Sequence, residues 1–165
     1  MAGRWGKWFL GALFVFLCIG SEPSRGDEAR LAVSGYDTVA YFTDGKPVPG
    51  NSEFEYRWHD ARWRFSTLAH REAFVRDPDR YAPQFNGFCA MGVAGGGGKS
   101  HKDTVDPEAW AIVDGKLYLT HDRKTLAMWR EKTAANIQSA NENWKSVKDE
   151  PVIYDGYPKV KRPAQ

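Results

Sequence analysis

The chain has 165 residues, 42% of them hydrophobic, with 23 Lys and Arg against 21 Asp and Glu. Two of the basic residues and none of the acidic ones fall in the first twenty, so the remainder carries 21 of each sign and is formally neutral. A neutral chain has no global field to draw in nucleic acid or an anionic membrane surface, so nucleic-acid binding is not expected despite the sequence pI of about 8.5.

In chain order, residues 1–20, MAGRWGKWFLGALFVFLCIG, set Arg4 and Lys7 before an apolar run from Trp8 to Ile19 and then small residues. That is the pattern of a secretory signal peptide. The run is short of the roughly 20 apolar residues that cross a bilayer, so cleavage near Gly20 is expected, giving an exported, periplasmic or secreted protein with no membrane attachment. Bulky Leu17 ahead of Cys18 argues against a lipoprotein. Residues 21–29 read as a linker, 30–147 as one domain long enough for a real core, and 148–165, rich in Pro and Lys, as a loose tail.

Within the domain, "DTVAYF" (37–42) reads as a buried strand, and "TDGKPVPGN" after it carries turn signals. Residues 53–65 alternate large apolar and polar side chains on either side of His59-Asp60-Ala61, which predicts a hairpin. Ser66 or Thr67 can cap a short helix ending near Phe74, and "DPDRYAP" stops it. "EAWAIV" and "KLYLT" flank Asp114-Gly115, a strong hairpin signal. Asp122 can cap a long helix to about residue 145, in which Leu126, Trp129, Thr133, Ile137, Ala140 and Trp144 form one apolar stripe. The expected fold is α+β: a small antiparallel sheet of hairpins packed against a short helix and a long C-terminal helix. Trp58, Trp63, Tyr81, Trp110, Tyr118, Trp129 and Trp144 read as core, where burial of each large side chain contributes roughly 1.5 to 3 kcal/mol.

The blocks "GYDTVAYF", "WRFSTLAHREAFVRDPDRYAP", "NGFCAMGVA", "DPEAWAIVDGKLYL" and "SANENW" occur in that order between residues 34 and 146. Together they resemble the YHS-domain family, in its exported branch of small single-domain proteins. The resemblance implies a small α+β domain distantly similar to the treble-clef metal-binding modules of copper-handling and heavy-metal proteins. In those distant relatives a cysteine follows the Phe of a "YYFCS"-like block. Here the block reads Trp63-Arg64-Phe65-Ser66-Thr67, so that ligand is missing and the relatives' metal site does not carry over. The exported branch has a cysteine in the block that looks like "GFCA", which falls on Cys89.

Cys89 is the one cysteine outside the leader-like segment. In an oxidising compartment it has no internal disulfide partner, so it is buried and inert, paired with another molecule, or kept for its reactivity. Met91 adds a thioether two residues on, and soft sulfur donors select Cu(I). Gly87, Gly92 and Gly95 to Gly98 leave backbone amides free to approach a thiolate or a bound group. His101 and His121 are the candidate nitrogen donors, although His101 in "KSHKDT" also reads as a solvated loop residue and His121 as a neighbour of the cap at Asp122. His59 sits in a hairpin turn, and His70 shares a helix face with Phe74. Tyr36 and Asp37, in the "GYD" block, are possible lining residues.

Gly-x-Ser-x-Gly, HExxH, Walker and paired-cysteine motifs are absent, and in "GVAGGGGKS" Gly98 stands where a phosphate loop needs Lys. The expected function is therefore an exported metal-binding module for Cu(I) or another soft transition metal, with no organic cofactor and no firm enzymatic role. Two alternatives stand beside it: a thiol-redox protein acting through Cys89 on a thiol or disulfide partner, and a structural or partner-binding domain with a buried thiol.

Overall fold

A computed structural model describes residues 30–59, 61–95 and 105–148. The leader-like segment, the 21–29 linker, Gly96 to Gly98, His101 and the tail from 149 lie outside the described residues. The fold is α+β.

Strands β1 (Arg30–Leu31), β2 (Asn51–Trp58) and β3 (Ala61–Phe65) form a sheet in the order β1-β3-β2, with β1 parallel and β2 antiparallel to β3. The period-two pattern is clean in β3: Ala61, Trp63 and Phe65 are buried while Arg62 and Arg64 are half-exposed. Gly50 leads into β2 across the backbone of Arg64. A Cβ there would sit 2.6 Å from the Arg64 carbonyl carbon, so only glycine passes.

Between β1 and β2, "DTVAYF" is not a strand. The buried Asp37 side chain accepts the Val39 N–H at 2.9 Å and the Ala40 N–H at 3.4 Å. This turns the chain into the short helix α1 (Ala40–Thr43). A short apolar run is equally compatible with a strand and with a buried turn and helix, and here the aspartate's bonds to its own backbone decide between them. Tyr41 is buried all the same, its hydroxyl donating to the Pro107 carbonyl at 2.9 Å. That burial, with nearby acidic groups, pushes its ionisation far above the ordinary tyrosine value.

Helix α2 (Leu68–Arg76) is capped by Thr67, whose hydroxyl accepts the His70 N–H at 3.1 Å. It ends at Asp77, which caps α3 (Pro78–Tyr81) in turn. Phe74 drives α2 onto the sheet, its ring 5.0 to 5.6 Å from those of Phe65, Trp63 and Trp58.

After α4 (Ala90–Ala94) come β4 (Trp110–Val113) and β5 (Lys116–Leu119), joined by Asp114 and Gly115 at φ 52° and 72°, as a two-residue hairpin turn requires. This hairpin is a sheet of its own and does not join the first. The two hairpins therefore lie in separate sheets rather than in the one antiparallel sheet expected.

Helices α5 (Arg123–Glu131) and α6 (Thr133–Val147) replace the single long helix expected, with the break at Lys132 (φ −140°, ψ 44°). At the break the Trp129 carbonyl is met by the Thr133 hydroxyl at 3.3 Å and the Asn136 amide at 3.1 Å. The apolar stripe survives it. Leu126, Trp129 and Ala140 are buried and Thr133, Ile137 and Trp144 half-buried.

Buried residues form two clusters, one around Phe65 and Phe74, the other around Trp129, and Met91 packs against both. No helix among the described residues is long and apolar enough to cross a membrane.

Candidate functional site

Two left-handed turns position the residues singled out in the sequence. Val33, Ser34 and Gly35 have φ of 46°, 52° and 85°, and deliver Tyr36 and Asp37; Phe85, Asn86 and Gly87 have φ of 59°, 54° and 75°, and deliver Phe88 and Cys89. Positive φ is rare for a β-branched or bulky residue and costs energy that the surroundings must offset. Part of that offset is burial, since Val33 is 2% and Phe85 5% exposed, each in an apolar cluster. Arg30 clamps the second turn. It donates to the Asn86 carbonyl at 3.0 Å, and its guanidinium lies 5.0 Å from the centre of the Phe88 ring.

Cys89 follows directly. Its side chain is 2% exposed within the first apolar cluster, it forms no disulfide, and its sulfur caps α4 by accepting the Gly92 N–H at 3.4 Å. Met91 is half-buried against that same cluster, and so is Tyr36. The far end of α4 is fixed by α6, where the Asn143 amide donates to the Val93 and Ala94 carbonyls at 3.0 and 3.1 Å. Three of the sequence-selected residues, Cys89, Met91 and Tyr36, thus share one cluster. His121 is half-buried beyond the end of β5, next to Asp122, and His101 lies outside the described residues. Among the described residues no group of three or more His, Cys, Asp or Glu side chains could hold a metal ion.

Asp37 is committed to a network of its own. Oδ1 takes the Val39 and Ala40 N–H groups, while Oδ2 accepts the Ser66 N–H at 2.8 Å, the Ser66 hydroxyl at 2.6 Å and His70 Nδ1 at 2.7 Å. With a carboxylate against Nδ1, that nitrogen carries the proton, which fixes the tautomer of a neutral imidazole. Nε2 then faces the Thr43 hydroxyl at 3.4 Å. One carboxylate thereby joins the start of α1, the end of β3 and the first turn of α2. The sequence marks His70 only as sharing a helix face with Phe74. Its signal was indirect: an acid inside the apolar run "DTVAYF" must have buried donors.

Comparison with family models, with curated proteins and with solved structures finds no match to the chain.

Proposed function

We propose that the domain is an exported module that holds a soft transition-metal ion, Cu(I) foremost, with Cys89 as thiolate ligand and Met91 as the second sulfur donor. The observation that supports this reading is the seating of Cys89, 2% exposed at the cap of α4 with Met91 packed on the same apolar cluster. Burial in apolar surroundings holds a free cysteine as the thiol, so the ion itself must displace the thiol proton as it binds. A thiolate and a thioether in apolar surroundings suit a soft ion and offer little to the hard cations that prefer oxygen. Burial weighs against the thiol-redox alternative, because thiol–disulfide exchange requires a partner to reach the sulfur, whereas a bare ion needs little room. His121 and His101 are the nitrogen donors this reading allows as additional ligands.

The test is anaerobic titration of the reduced protein with Cu(I) against a chromophoric competitor. Cys89→Ser should abolish tight binding, since a hydroxyl is a hard donor, and Met91→Leu should weaken it less. Binding unchanged in Cys89→Ser, or no uptake by the wild type, overturns the metal reading. Failure to take up copper combined with rapid alkylation of folded protein well below about pH 8.5, the ordinary thiol value, would instead establish the redox reading. A sulfur that takes no copper and is alkylated only on unfolding would mark a packing residue.

A further inference from the structure

We propose that the groove between the outer edge of β4 and helix α5 receives an extended peptide segment, added antiparallel to β4, with a carboxylate at the end that lies over Arg130. This rests on observations independent of Cys89.

The phase of the β4–β5 ladder is set by the Thr120 N–H, which donates to the Ala109 carbonyl at 2.9 Å. Antiparallel strands alternate between residue pairs that exchange hydrogen bonds and pairs that do not. Ala111 opposite Tyr118 and Val113 opposite Lys116 fall in phase with that bond and are the pairs that exchange bonds. The N–H and C=O groups of Trp110 and Ile112 therefore point away from β5. Arg130 Nη2 donates to the Trp110 carbonyl at 3.5 Å, so this outer edge is the one that α5 faces, and an added strand takes over that carbonyl as Arg130 turns to the strand's carboxylate. Among the described residues no strand pairs with it. The Ile112 side chain is 37% exposed beside it, and β4, "WAIV", has none of the Lys or Pro by which edge strands usually discourage pairing.

The opposite wall is a single helix face, with Arg123, Leu126, Ala127 and Arg130 at the i, i+3, i+4, i+7 spacing. The groove between has a volume of about 600 Å³, within the range of ligand pockets. A strand edge supplying main-chain hydrogen bonds, facing a helix wall of two arginines around Leu126 and Ala127, is an arrangement for peptide recognition by strand addition.

The charges set the polarity. Arg123 is matched by Glu108 at 3.5 Å, whereas Arg130 makes no ion pair among the described residues. The uncompensated positive charge thus lies at the Trp110 end of β4, where an antiparallel strand has its C-terminal side. The carboxylate is that of an acidic side chain near that end.

The proposal is tested by selecting random octapeptides displayed with free C-termini on the full chain, then measuring the enriched peptides as synthetic fluorescent ligands by anisotropy. Alternating β-branched sequences with Asp or Glu near the C-terminal side should be enriched. Arg130→Glu should weaken them at least tenfold, as should Ile112→Pro, which removes the outward N–H at an edge position where proline is tolerated. Replacing the acidic residue with its amide should weaken binding as much as Arg130→Glu and amidating the terminus should not; the reverse pattern overturns the proposal. Arg130 is exposed, so Arg130→Glu decides the matter even if Ile112→Pro disturbs the fold. Enrichment of no peptide, or equal binding by wild type and Arg130→Glu, overturns the proposal.

Discussion

Replacing Asp37 by Asn changes one oxygen into an amide in a side chain that is fully buried. The aspartate accepts from five donors, two at Oδ1 and three at Oδ2, and the amide offers only one acceptor oxygen. If that oxygen serves Val39 and Ala40, the new NH2 group faces the Ser66 N–H, Ser66 hydroxyl and His70 Nδ1. The hydroxyl can rotate and the imidazole can move its proton to Nε2, so both adapt. The Ser66 backbone N–H, 2.8 Å away, cannot, and it is left without an acceptor. A stranded buried donor costs about 1–3 kcal/mol, and bonds to a charged acceptor are worth more than neutral ones. A loss of about 2–4 kcal/mol follows, a large share of the roughly 5–15 kcal/mol that holds a domain folded. Asp37→Ala, which strands the Val39, Ala40 and Ser66 N–H groups together, should exceed it. Urea unfolding followed by tryptophan fluorescence should show a lower midpoint at unchanged slope. A loss below about 0.5 kcal/mol for Asp37→Asn, within the usual range for a surface change, would refute the assignment of Asp37 as the tie between these elements.

Trp129→Ala should be destabilising by on the order of 3–5 kcal/mol, the range for emptying a buried aromatic site, since Trp129 is fully buried. Trp129→Phe should lose far less, because the indole N–H has no hydrogen-bond partner among the described residues; an unfolding midpoint unchanged in the Ala variant would remove Trp129 from the core. At the start of α5 the Thr125 N–H, 2.6 Å from Asp122 Oδ1, holds that carboxyl below the usual carboxylate range. The folded value lies below the unfolded one of about 3.9, so the cap's contribution is complete above that value and is lost as pH falls through the folded one. Asp122→Ala should therefore lower the thermal midpoint at neutral pH, and the gap to wild type should close on acidification; a gap constant down to about pH 2 would refute the capping role.

The elements legible in the sequence were those whose signal is local. Asp114-Gly115 prescribes its turn from two residues, the alternation of Ala61, Trp63 and Phe65 fixes a face, and Thr67 and Asp122 cap the helices they were expected to cap. The misreadings arose where the deciding atoms are distant or compete with the local pattern. "DTVAYF" has the composition of a strand, but the Asp37 carboxylate bonds its own backbone and also Ser66, twenty-nine positions away. The stripe from Leu126 to Trp144 runs across Lys132 because Thr133 and Asn136 satisfy the Trp129 carbonyl left open by the break. Nothing in either hairpin states which other strand its edge will meet, so two sheets were read as one.

The candidate site divides along the same line. Cys89 and Met91 stand out because they are close in sequence and chemically distinctive, whereas the seating of Cys89 depends on tertiary packing. Its turn runs through left-handed Phe85 and Asn86, is clamped by Arg30 from 56 positions away in sequence, and passes close to Val33 of the other turn at Gly87. That other turn leads within two residues to Asp37, whose carboxylate is fixed by Ser66 and His70. Sulfur and carboxylate are thus joined through packed backbone rather than a direct bond. The acid read in the sequence as a possible wall of the sulfur site instead anchors one of the two turns on which that site is built.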